Sequence, residues 1–82
     1  MMDSDALYAK LTEILRNIFD DDSLVATREL TADQVDGWDS FAQLRLILAV
    51  EDGFGVKFAA SEISNLKNVG ELADRVAANR AR

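Results

Sequence analysis

The stretch that decides the fold reads DSFAQLRLILAVEDGFG and covers residues 39–55. Its apolar residues recur at the spacing of an α-helix, and Asp39 is a residue type that caps helix N-termini. A capping box between Ser40 and Gln43 would add to this start. The stretch therefore predicts a helix that begins at Asp39 or Ser40, runs to about Asp52 and stops at the two glycines that follow.

The apolar side chains of this helix fall on two arcs, since successive residues turn by about 100°. Residues that fall within roughly a quarter-turn are predicted to face the core: Leu46, Ile47, Val50 and Phe54. A second ridge consists of Phe41, Leu44 and Leu48. A helix that is apolar over more than one face is either central in a larger core or carries an interaction surface, and the periodicity leaves both readings open.

Two other stretches have helical spacing. The first follows Ser4, a suitable N-cap, and its core-facing residues are predicted to be Leu7, Leu11, Ile14, Leu15, Ile18 and Phe19. The last follows Asn68, which fits a capping box with Glu71, and its inner stripe is predicted to be Val69, Leu72, Ala73, Val76 and Ala77.

Residues 59–66 predict a short helix with Ile63 and Leu66 turned inward. Gly55 suits the left-handed residue that follows a helix C-terminus. Because no segment alternates as a strand does, the sequence predicts an all-α, four-helix bundle with a long first loop and a short third helix. Residues 1–82 are expected to form a single domain.

The connector between the first two helices, residues 20–39, holds seven acidic residues and one basic residue, so it carries the whole net charge of −6. A turn of helix is predicted from Thr31 to Val35 and capped by Thr31, with Leu24, Leu30 and Val35 fixing the connector to the bundle. The aspartates at its start lack the ligand spacing of an EF-hand, so no metal site is expected.

Composition excludes several function classes. The chain has 82 residues with no Cys and no His, which removes thiolate and imidazole chemistry. Its acidity disfavours binding to nucleic acid or to anionic membranes. No signal peptide and no run of ~18 apolar residues is evident, so a cytoplasmic protein without membrane insertion is expected. No general base is apparent for Ser40, so no enzyme and no catalytic residue is expected.

Ser40 is the residue on which the functional interpretation depends. At a helix N-terminus, amide donors and the helix dipole favour an anion, so a phosphodiester or a phosphate on its oxygen would be stabilised. Phosphorylation by a kinase would use the same physics. An isolated Asp-Ser pair at a helix start is more often only a cap.

The pair is not isolated, and the chain resembles the acyl carrier protein family, including the related peptidyl carriers. Residues 39–41, Asp-Ser-Phe, stand where the family has Asp-Ser-Leu, and residues 46–55 resemble the family's second helix and its exit. Residues 56–58 and 63–69 are similar to its third-helix region. The likeness spans nearly the whole chain.

This resemblance implies that Ser40 receives 4′-phosphopantetheine from coenzyme A through a Mg²⁺-dependent phosphopantetheinyl transferase. The thiol of the arm then carries an acyl or aminoacyl group as a thioester. Asp39 would cap the helix beside the attachment site, and Phe41, Leu44 and Leu48 would form the ridge that partner enzymes contact. Those partners would be acyl-activating ligases, synthases or acyltransferases, and the carrier would be a monomer.

Two departures qualify the resemblance, and one of them is Gly53, which stands where the family has a good helix former. Ala42, Gln43 and Arg45 stand where many fatty-acid carriers have acids, which favours a dedicated carrier for a specialised lipid or secondary-metabolite pathway.

The resemblance also implies that residues of the inner core can shelter an attached chain: Leu46, Val50, Phe54 and Ile63. Trp38 is either a core or loop anchor, which is the favoured reading, or a partner contact, and the sequence does not decide between the two. The alternative function is an unmodified helical protein–protein interaction module.

Overall fold

The computed structural model describes residues 4–63 and 66–80. Its elements are α1 (Ser4–Phe19), a 3₁₀ turn (Ala32–Gln34), α2 (Ser40–Phe54), α3 (Ala60–Ile63) and α4 (Val69–Arg80). The described ranges contain helices and loops and no strand. The predicted all-α architecture, with a long first loop and a short third helix, is therefore confirmed. Within these ranges no helix is both long enough and apolar enough to cross a membrane.

Helix α1 lies along α2 and buries the predicted stripe. Leu7, Leu11 and Leu15 are at most 5% exposed, while Ile14 and Phe19 are half-buried against the same cluster. Ser4 is already part of the helix, so it does not hold the cap position that the sequence predicts for it. The apolar spacing of α1 therefore becomes one wall of the core.

Helix α2 extends further than the sequence predicted. Gly53 lies inside the helix, which continues to Phe54 and ends at Gly55 with a left-handed φ of 68°. The Gly55 N–H donates to the carbonyl oxygen of Glu51, which closes the last turn. Because Phe54 is 4% exposed and packs in the core, its burial holds the last turn that Gly53 alone would weaken.

The start of α2 confirms Asp39 as the cap and corrects the predicted capping box. The Asp39 carboxylate accepts a hydrogen bond of 2.9 Å from the Ala42 N–H. Ser40 is the first helical residue, so it does not occupy the cap position. The Gln43 side-chain oxygen accepts a hydrogen bond from the Trp38 indole instead. The Ser40–Gln43 box is wrong because a tertiary partner takes the Gln43 amide.

Helix α4 completes the core with Val69, Leu72, Ala73 and Val76, all buried. Ala77, predicted to lie on the same stripe, is exposed. The Asn68 side chain accepts from the Glu71 N–H at 2.9 Å, as a cap should. The Glu71 carboxylate, however, accepts from the Lys67 N–H at 3.1 Å, one residue before the position that a capping box requires.

The connector is fixed to the N-terminus of α4. The carbonyl oxygen of Leu30 accepts from the Val69 N–H at 2.9 Å, and that of Arg28 accepts from the Gly70 N–H at 3.1 Å. A Cβ atom at Gly70 would lie 2.9 Å from the Arg28 carbonyl oxygen, so only glycine allows this approach. The long loop therefore accepts hydrogen bonds from two N–H groups in the first turn of α4. Such groups have no acceptor within their own helix.

The predicted turn at Thr31 to Val35 is present as the 3₁₀ turn. The Gln34 side chain accepts from the Thr31 N–H at 3.0 Å, and Val35 is 7% exposed. Leu24 and Leu30 pack against the core cluster, as predicted. These apolar anchors keep the acidic connector against the bundle and bring its end to the start of α2.

Candidate functional site

Ser40 is exposed at the first position of α2. Because Asp39 caps the helix, the Ser40 hydroxyl is not needed for capping, and within the described residues it makes no hydrogen bond. The N–H groups of Ser40 and Phe41 likewise find no acceptor in that part of the chain. An anion on the Ser40 oxygen would meet these unused donors and the positive end of the α2 dipole.

Trp38 fixes the backbone just before Ser40. Its indole ring is half-buried, and its centroid lies 5.2 Å from that of Phe19 at the end of α1. Its Nε1–H donates to the Gln43 side-chain oxygen at 2.7 Å. Trp38 thus anchors the end of the connector to α1 and α2, which is the reading that the sequence favoured without deciding it. The sequence did not indicate the hydrogen bond between Trp38 and Gln43. The two residues are five positions apart and α2 begins between them, so they match neither a capping pattern nor the spacing of one helix face.

A small cavity of about 40 Å³ lies between the connector, α2 and the residues that lead into α4. Trp38 and Gln43 line it, together with the apolar side chain of Leu46. Of the residues predicted to line a sheltered space, Leu46 is the one found here. Val50 and Phe54 are instead closely packed in the core, at 0% and 4% exposure.

The second apolar ridge of α2 is exposed. Phe41, Leu44 and Leu48 are 79%, 54% and 56% exposed, so the reading in which a larger core covers them is wrong for this chain. Glu51 lies at one edge of the ridge, where its carboxylate accepts from the Phe58 N–H at 2.9 Å. Arg45, at the other edge, forms no ion pair within the described residues.

The aspartates that follow α1 form a turn. The Ser23 hydroxyl and N–H both donate to one Asp21 carboxylate oxygen, at 2.6 and 2.9 Å. These hydrogen bonds lower the pKa of the Asp21 carboxyl from its usual value. Among the described residues no group of three or more potential metal-binding side chains is brought together. The Ser23 hydroxyl is thus engaged, in contrast to that of Ser40.

Comparison with known proteins agrees with this geometry. The family model described as "Phosphopantetheine attachment site" matches residues 9–76. The chain is 47% identical to the holo acyl carrier protein from Geobacter metallireducens, whose structure was determined by solution NMR. That match covers 93% of this chain and 87% of the other, with a TM-score of 0.86. A comparison with curated protein sequences finds no significant match.

The matched region includes α2, the connector and most of α4, so it contains both the exposed serine and the elements that hold it. Members of this family carry covalently attached 4′-phosphopantetheine and deliver cargo to synthases, transferases and ligases without catalysing a reaction themselves. Because the sequence identity of 47% extends over 93% of this chain, the two proteins are similar in sequence as well as in fold. The chain belongs to the acyl carrier proteins and is a phosphopantetheine-bearing carrier rather than an enzyme.

Proposed function

We propose that Ser40 is the residue that carries 4′-phosphopantetheine. The observation that supports this assignment is that its hydroxyl is exposed and unbonded at the N-terminus of α2, because Asp39 does the capping. Of the other serines among residues 4–63 and 66–80, Ser4 lies outside the matched region and Ser23 is bound to Asp21. Ser61 lies in α3, a single turn of helix, and already has a partner.

Attachment requires the Ser40 oxygen to lose its proton and attack the β-phosphorus of coenzyme A. A new bond forms between that oxygen and phosphorus, and the bond to the departing adenosine 3′,5′-bisphosphate breaks. The phosphodiester that results is an anion, and the unused N–H groups of the first turn of α2 stabilise it. The transferase supplies the base and Mg²⁺. The arm supplies the thiol to which cargo is bound as a thioester.

The exposed ridge of Phe41, Leu44 and Leu48 is proposed as the surface that partner enzymes contact. It begins next to Ser40 and continues for two turns, so a partner that binds it is placed beside the arm. Exposed apolar side chains grouped on one helix face are typical of interaction sites. The partners expected are the transferase and the acyl-activating ligase, synthase or acyltransferase that load and use the arm.

The charge around the ridge supports a dedicated pathway, of specialised lipid or secondary-metabolite type. The first turn of α2 contains no acidic residue, and Arg45 forms no ion pair with any residue that the structure describes. The acidic residues lie in the connector instead. A partner that fits this surface needs basic groups opposite the connector and none opposite Arg45. A cytoplasmic location and a monomeric state stay predictions.

Intact-mass measurement tests the attachment. The apo protein is incubated with coenzyme A, Mg²⁺ and a broad-specificity phosphopantetheinyl transferase, and one phosphopantetheine mass is expected on the wild type. Ser40→Ala should stay unmodified, while Ser61→Ala, the matched control, should be modified as the wild type is. A wild type that gains no mass, or a Ser40→Ala variant that does, would refute the assignment. A partner that binds equally without the arm would favour the interaction module.

A further inference from the structure

Arg45 is a charged residue in an apolar part of α2. Residues three or four positions apart are the ones that meet on a helix surface. For Arg45 those neighbours are all apolar: Phe41, Ala42, Leu48 and Ala49. Arg45 is exposed and forms no ion pair with any residue that the structure describes. Its own helix therefore offers no acidic side chain within one turn to balance its charge.

Arginines elsewhere in the fold are engaged. The Arg16 Nε–H donates to the carbonyl oxygen of Leu24 at 2.8 Å, which holds the start of the connector to α1. The Arg28 guanidinium pairs with the Asp74 carboxylate at 2.7 Å, which joins the connector to α4. These two guanidinium groups stabilise the fold, whereas that of Arg45 makes no such contact with the described residues.

The anion expected at Ser40 does not account for Arg45. The two residues are five positions apart, which places them about 140° apart around the helix axis. Asp52 is on the same face as Arg45, but it lies two turns further along, about 10 Å along the axis. These two side chains form no ion pair. A counter-charge for Arg45 must therefore come from outside this chain.

Docking of an enzyme on the exposed ridge would take water away from Arg45. Around the helix axis, Arg45 is about 40° from Phe41 and about 60° from Leu48, so a surface that covers those side chains also covers the guanidinium. A charge that loses its water without gaining a partner is strongly unfavourable. A carboxylate is the matching group, because the planar guanidinium binds it through two parallel N–H···O hydrogen bonds.

We propose that Arg45 determines which enzymes this carrier serves. It selects those that present a carboxylate beside the apolar surface that covers the ridge, and it rejects those that present a lysine or an arginine there. The inference rests on the proposed role of the ridge and adds the charge that the partner has at one position. Basic groups of the same partner lie opposite the acidic connector. Two contacts of opposite sign fix the orientation in which the partner docks.

The kinetics of phosphopantetheine transfer test the rejection. The probe is a broad-specificity transferase whose carrier-binding face is basic, and kcat/KM is measured on the whole chain by mass. Arg45→Glu should raise kcat/KM about three- to tenfold. The gain should be in KM, because the chemistry at Ser40 is unchanged, and high salt should reduce it. Arg75→Glu is the matched control: it makes the same charge change at an exposed arginine of α4 and should change kcat/KM little.

Charge exchange on the transferase tests the selection. The basic residues of its carrier-binding face are changed to glutamate one at a time, and each variant is assayed with the wild-type and Arg45→Glu carriers. One exchange should reverse the preference, so that the wild-type carrier becomes the better substrate by about three- to tenfold. Arg45→Lys keeps the charge but loses the planar group, so it should show the same preference in weaker form.

Equal effects of Arg45→Glu and Arg75→Glu would overturn the proposal, and so would a set of exchanges in which none reverses the preference. Leu44→Ala distinguishes this result from a failure of the ridge itself. It should lower kcat/KM with every transferase variant, and unchanged kinetics would refute the ridge as the docking surface, together with the role of Arg45. A wild type that gains no mass refutes the attachment at Ser40 instead.

Discussion

Gly70→Ala should destabilise the fold by pushing the connector away from α4. The added Cβ would lie 2.5 Å from the Arg28 Cγ and 2.9 Å from the Arg28 carbonyl oxygen. Side-chain rotation can relieve the first contact but not the second, because that oxygen is backbone and accepts from the Gly70 N–H. Overpacking of this kind costs about 1–3 kcal/mol, and alanine's better helix propensity returns at most about 1 kcal/mol. With that gain subtracted, the net loss is up to about 2 kcal/mol.

Gly53→Ala is the matched control, because Gly53 is also helical. Its added Cβ would lie 3.5 Å from the Ile14 Cδ1 atom and 3.6 Å from the Lys10 Cε atom, which are ordinary contacts with side-chain ends. Alanine should therefore stabilise the protein here by about 0.5–1 kcal/mol. Urea unfolding followed by Trp38 fluorescence measures both variants. In a domain of this size, about 1 kcal/mol corresponds to a Tm change of roughly 4–8 °C.

The two variants are expected to move the free energy of unfolding in opposite directions. A Gly70→Ala variant as stable as Gly53→Ala would refute the reasoning, since it would mean that the connector does not rest on α4. NMR spectra of Gly70→Ala should also show the largest changes at the Arg28 and Leu30 amides, which belong to the displaced segment. Changes confined to α4 would contradict the displacement.

Asp39→Ala should lower the free energy of unfolding by about 1 kcal/mol, because it removes an N-cap, and urea unfolding checks this. The hydrogen bond from the Arg28 guanidinium lowers the pKa of the Asp74 carboxyl. The contribution of Asp74 to stability is therefore present above its unfolded-state pKa of about 3.9 and is lost as the pH falls through the lower folded-state pKa. Asp74→Asn should flatten that part of the stability–pH curve, and an unchanged curve would contradict the assignment. Leu44→Ala should stay within about 0.5 kcal/mol of the wild type but slow cargo loading by a partner ligase. Leu46→Ala, at a position with 0% exposure, should cost about 2–5 kcal/mol.

Local patterns predicted the elements well because they depend on neighbouring residues. The spacing of apolar residues in α1 and α2 follows from 3.6 residues per turn, so which face is buried could be read directly. Asp39 and Gly55 could be assigned because a cap acts within one turn of its helix. The same spacing showed that Phe41, Leu44 and Leu48 form a second apolar ridge in addition to the arc that faces the core.

Predictions failed where the folded chain overrode a local preference. Gln43 fits a capping box by spacing, yet the Trp38 indole takes its oxygen. Gly53 resembles a helix end, yet the burial of Phe54 carries α2 past it. Ala77 fits the stripe of α4 but is exposed in the folded chain. In each case the arrangement of the elements, and not the local pattern, decided the outcome.

The sequence by itself determined the helices, the caps of α2 and the serine that stands at its start, because these follow from periodicity and short-range hydrogen bonding. Only the tertiary structure decided how that serine is presented. Contacts such as Gly70 to Arg28 join residues about forty positions apart, and no local pattern specifies them. These contacts fix the connector against α4. Trp38, at the end of the connector, packs against Phe19 and lines the cavity next to α2. The position of Ser40 was therefore readable from sequence, while its surroundings required the folded chain.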